Sequence, residues 1–114
     1  MMGASSDMRI PIVMGGEPGA ADGVLVEDGC AMPAEGYAVR FAVGSAKPGH
    51  FAGCACCTLR GPAADALTAM FRARATGVAP LFKRLVVLAS AEGEAAVKAA
   101  LVEDVVSAAR FRLG

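Results

Sequence analysis

Tryptophan is absent from the 114 residues, histidine and tyrosine occur once each, and aromatic side chains make up only 5%. A core built without large rings has to come from small aliphatic side chains. The 55% hydrophobic content, much of it alanine and valine, supplies them. Charge of one sign is also lacking, since the formal net charge is +0. Neither half carries a basic run or an aromatic-basic stripe, which argues against nucleic acid as a partner. No apolar stretch reaches the roughly 20 residues of a membrane span, so a membrane is not expected either. The opening residues 1–7 are small and polar, without a hydrophobic h-region. Export is therefore not expected, and the chain is read as cytoplasmic.

A chain of this length suits one small domain. Residues 1–8 are read as a disordered lead-in and 9–114 as a single domain. Such a domain buries about two-thirds of its unfolded surface, so a core is feasible without a metal.

The densest chemistry is Cys54-Ala55-Cys56-Cys57, with His50 four residues ahead of the first thiol. Thiolates are soft ligands suited to zinc, copper(I) and related ions. In the cytoplasm thiols stay reduced, which favours metal or redox chemistry over structural disulfides. The three cysteines are also too close for ordinary mutual disulfides. Cys56 and Cys57 are adjacent and in a regular strand would point to opposite faces. Both can hold one ion only if the backbone turns there or if two chains share the ion. Free cysteine also packs as a small hydrophobe, the plain alternative. His50, after Pro48-Gly49, is a candidate ligand or a surface turn residue. Cys30 could supply a fourth thiolate, although nothing in its spacing points that way. Asp22 reads as a turn residue.

The pattern along the chain predicts an α/β layer. Residues 9–14 read as a strand whose Pro11 suggests an early or edge position. Residues 15–23 form a glycine-proline loop, 24–26 a short extended piece, 27–36 a second loop holding Cys30, and 37–43 a strand. Gly61-Pro62 opens a helix over 63–75 that Gly77 stops. Residues 82–90 make the clearest strand, and their apolar run 85–89 suits one covered on both faces. Ser90 caps a following helix, with Glu92 and Glu94 in its first turn. A last helical piece spans roughly 104–110. Met70 and Phe71 fall at helical spacing as core residues.

The segment Gly53-Cys54-Ala55-Cys56-Cys57-Thr58-Leu59-Arg60-Gly61, followed by helix, strand and helix, resembles the CobW-type family of metal-binding GTPases, which includes zinc and cobalt metallochaperones. Upstream, Glu17-Pro18-Gly19 with Asp22-Gly23 looks like the family's Glu-Phe-Gly segment and the Asp-Gly region after it. Downstream, Phe82 to Val87 looks like the strand before the family's acidic and Thr-Gly segment, and Ala109 to Gly114 like its Arg-Tyr-x-Leu stretch. The resemblance implies zinc, or cobalt or another divalent transition metal, held by Cys54, Cys56 and Cys57 together with Glu17.

A phosphate loop needs Gly-x-x-x-x-Gly-Lys and then Ser or Thr, and no such sequence occurs. Residues 15–22 place Ala21 and Asp22 where lysine and hydroxyl would stand. Leu88 to Ala91 replaces the family's acidic and Thr-Gly residues, and its base-reading segment is missing. The implied fold is therefore a small partial P-loop-NTPase-like sheet with two to three helices, without the nucleotide-binding first strand–helix unit. The implied role is metal trafficking or sensing without nucleotide or GTP hydrolysis. Loss of that unit would leave a sheet edge and a face open, for which a homodimer or a protein partner is expected. The alternatives are a thiol redox protein, suggested by Cys54-x-x-Cys57, and an interaction or regulatory domain with leftover cysteines.

Overall fold

The computed structural model describes residues 8–42 and 61–114. Five short strands form one parallel sheet: β1 (Ile10–Met14), β2 (Gly23–Glu27), β3 (Tyr37–Phe41), β4 (Leu85–Leu88) and β5 (Phe111–Leu113), in the spatial order β3-β2-β4-β1-β5. Three helices accompany them: α1 (Pro62–Thr76), α2 (Ala91–Glu103) and α3 (Val105–Arg110). The α/β class expected from the sequence is the one observed.

The connections β3 to β4 and β4 to β5 step across the sheet in the same direction. Right-handed crossovers therefore put all three helices on one face. Alternate strand residues make up the core on that face, where Ile10, Ile12, Leu25, Phe41, Leu85, Val87 and Phe111 meet Leu67 and Met70 of α1 and Val97 of α2. The connections β1 to β2 and β2 to β3 step the other way and contain no helix. Two plain loops, residues 15–22 and 28–36, cross the second face instead. Val24, Val26 and Val86 of that face are fully buried. Gly36 shows how close the second loop runs: at φ 101°, a Cβ there would stand 2.8 Å from Val24 Cγ2. The sheet is thus buried on both faces, and the apolar Leu85-Val86-Val87 run of β4 fits its central place.

Helix ends follow the sequence. Pro62 sits at the start of α1, and Gly77 ends it at φ 83°, in the left-handed region that glycine enters without strain. Ser90 caps α2 by accepting from Gly93 N at 3.2 Å. Met70 is fully buried, and Phe71 packs against the core.

Two expectations are corrected and one strand is added. Pro11 stands early, second in the first strand, but it does not mark an edge: β1 lies between β4 and β5. Gly114 N donates to Ile12 O on the β5 side, and Gly15 N donates to Val87 O on the β4 side. Backbone direction alternates, so the nitrogen of Pro11 faces the β4 side, one residue before the ladder starts at Ile12↔Leu85. No ladder bond is lost there. The late strand begins at Leu85 rather than at residue 82. The Phe82 carbonyl is taken by Arg74 Nε at 2.7 Å, and Phe82 N turns back to Pro80 O at 2.7 Å. Finally, Phe111–Leu113 forms a strand, which its three residues did not signal. The lead-in, apart from exposed Met8, lies outside the described residues.

Candidate functional site

In open parallel sheets, ligands bind outside the carboxyl ends of strands, where neighbouring strands send their connections in opposite directions. Here β4 sends its connection one way while both of its neighbours, β1 and β2, send theirs the other. Gly15, directly after β1, and Ser90, the N-cap of α2 two residues after β4, mark that end. Glu27 closes β2 there, with Oε1 accepting from Ser90 N at 2.8 Å and from Ser90 Oγ at 2.7 Å. One carboxylate oxygen thus ties the end of β2 to the start of α2. A side chain at Gly93 would crowd this contact, since a Cβ there would stand 2.7 Å from Ala89 Cβ and 2.6 Å from Glu27 Oε1.

Acidic residues gather at this end: Glu27 at the end of β2 and Asp28 after it, Asp65 in the first turn of α1, Glu92 and Glu94 in the first turn of α2. Among the described residues, Arg40 is the basic residue beside them. Its Nη1 donates to Cys30 O at 3.2 Å and to Glu27 O at 3.5 Å, fixing the start of the β2–β3 loop. Such a field favours an incoming cation and disfavours phosphate.

Cys30 is a free, half-buried thiol whose N donates to Glu27 O at 3.0 Å. Glu17 lies elsewhere, in the loop that crosses the second face. It is exposed, and its carbonyl accepts from Arg84 Nη2 at 3.4 Å. Glu17 and Cys30 are therefore held by different arginines. Cys54, Cys56, Cys57 and His50 lie outside the described residues. Among the described residues there is no group of three His, Cys, Asp or Glu that could hold a metal ion.

Two described residues do flank the cysteine segment. Ala42 follows the carboxyl end of β3, and Gly61 is the N-cap of α1. α1 delivers the chain to the amino end of β4, so its own start stands at the carboxyl end. Both anchors of the segment therefore belong to the acidic end of the sheet.

Asp22 does more than turn the chain. Its Oδ2 accepts from Gly19 N at 2.8 Å, from Arg84 Nε at 3.0 Å and from Arg84 Nη2 at 2.8 Å. This two-pronged clamp joins the first crossing loop to β4. Sequence reasoning found the turn but not Arg84, whose partner is 62 residues away. The Arg84 hydrogen bonds, and next the Gly19 amide, hold the Asp22 carboxyl below its ordinary value of 3.8. A depressed carboxyl contributes stability that is complete above its unfolded pKa and lost as pH falls through the folded one. Asp22→Asn should thus be less stable than wild type at neutral pH. In chemical denaturation across an acid series, the gap should be constant above about pH 5 and shrink below 3.8. A gap that persists unchanged into acid would show that Asp22 acts only as a hydrogen-bond acceptor.

No helix among the described residues is long and apolar enough to cross a membrane. Compared with known proteins, the chain matches no family model, no curated protein and no solved structure.

Proposed function

We propose that this chain binds one transition-metal ion, zinc above others, through Cys54, Cys56 and Cys57, and acts in cytoplasmic metal trafficking or sensing without hydrolysing GTP. The observation that carries the reading is the Cys-x-Cys-Cys run itself. Three thiols in four residues match the ligand number and softness of a zinc site better than they match a core. The resemblance to CobW-type metallochaperones supports it through the order of the flanking segments. So does the acidic carboxyl end of the sheet, from which the segment departs and to which it returns. That acidic field itself favours a cation over a phosphate group. Glu17 and His50 are the candidates for the remaining coordination position. Arg84 holds the Glu17 backbone in place by a contact that needs no metal.

The test is metal content. The protein is purified without a metal-chelating tag, under reducing conditions, and reconstituted with zinc. Elemental analysis should find about one equivalent per chain, falling below about a tenth in Cys56→Ser/Cys57→Ser. Wild type that takes up no metal overturns the reading. A thiol pair that then cycles with glutathione would establish the redox alternative.

A further inference from the structure

The sheet has two edges, and they differ in what they can accept. β3 forms one of them. Tyr37 N donates to Asp22 O, and Phe41 O accepts from Asp28 N, so both point toward β2. By alternation the backbone groups of Val39 also face β2, while those of Ala38 and Arg40 face outward. Among the described residues no strand pairs with that outer edge. The strand carries no proline and no bulge, two devices that usually block edge pairing. Its one charge is drawn back, because the Arg40 guanidinium reaches to the Glu27 and Cys30 carbonyls of its own loop. Tyr37 and Val39 are half-buried on the helix-bearing face.

We propose that the outer edge of β3 is a homodimer interface, in which two copies of this chain pair β3 antiparallel about a two-fold axis at Val39. In that register Ala38 and the partner's Arg40 exchange both backbone hydrogen bonds, and symmetry repeats the exchange. Val39 meets the partner's Val39, and Tyr37 meets the partner's Phe41, on the face that already bears the core. On the other face Ala38 stands opposite the partner's Arg40, so no like charges are opposed. The β5 edge fails the same test. Gly114 N donates to Ile12 O, so by alternation Arg112 faces β1 and Phe111 and Leu113 face outward. Two-fold pairing of that three-residue strand would set Arg112 directly against the partner's Arg112, in the closely spaced position where like charges destabilise. Charge and register together select β3.

The interface is independent of the metal reading, and its test excludes metal. Sedimentation of the full chain is measured in chelator and thiol reductant, which removes shared ions and intermolecular disulfides. Wild type should be a dimer. Ala38→Pro removes an outward N–H and no bond to β2, so it should give a monomer with an unchanged circular dichroism spectrum. Two further variants use the sign of charge opposite the partner's Arg40. Ala38→Glu should tighten the dimer and Ala38→Arg loosen it, each by roughly tenfold in dissociation constant. These two decide the matter if the proline variant fails to fold. A wild-type monomer at the highest concentration reached, a folded Ala38→Pro that remains dimeric, or Glu and Arg variants shifting in the same direction would each overturn the proposal.

Discussion

Phe82→Ala should lower the unfolding free energy by about 3–5 kcal/mol. Phe82 is fully buried although it lies outside every helix and strand. Its ring fills the space between α1 and the start of β2. A Cβ placed on Gly23 would stand 2.9 Å from Phe82 Cγ and 3.0 Å from Met70 Cε. Arg74 lies over the ring at 5.5 Å from its centre while donating to the Phe82 carbonyl. Truncation therefore opens a cavity and also removes the cation's aromatic platform. The loss is a large part of the 5–15 kcal/mol typical of a small domain, so the variant should unfold near physiological temperature. Urea denaturation followed by circular dichroism measures it. A loss under about 1 kcal/mol would mean that the α1–β2 contact collapses onto the gap without cost.

Much of this architecture is visible in the residues because local signals agree with it. Pro62, Gly77 and Ser90 mark helix ends by backbone chemistry that needs no tertiary partner. The Leu85-Val86-Val87 run announces a central strand because a parallel strand covered on both faces has no polar side. What the sequence hides is long-range. Arg84 and Asp22 meet across 62 residues, and Glu27 and Ser90 across 63. No local pattern requires either pair. Pro11 misleads because its effect depends on which neighbour its nitrogen faces, a matter of register. Phe82 looks like the first residue of a strand, but Arg74 captures its carbonyl and delays the ladder to Leu85. At the candidate site, the softness of three clustered thiols is legible by itself. The acidic end that receives their flanks is not, because its carboxylates come from three separate segments of chain.

Zinc affinity should fall steeply with acid. Each thiol that ligates must first lose its proton, and an ordinary cysteine does so only near pH 8.5. Below that value, three thiolate ligands give a loss of about three powers of ten in apparent affinity per pH unit. Cys56→Ser/Cys57→Ser leaves one thiolate and should show about one power of ten per unit, from a much weaker starting point. A histidine ligand adds to the slope only below about pH 6.5, so His50 would appear as a steepening there. Competition against a chelator of known affinity, repeated from pH 8 to 6, reads these slopes. A wild-type slope near one would mean that the cysteine run does not act as a unit.

The most direct measurement counts the ligating thiols. The chain has four cysteines, and a thiol reagent applied to the metal-free reduced protein should modify all of them. With one equivalent of zinc, Cys54, Cys56 and Cys57 should be shielded together, while half-buried Cys30 continues to react. Mass spectrometry of the labelled peptides identifies each site. Labelling of all three clustered cysteines at the same rate with and without zinc would contradict the metal site.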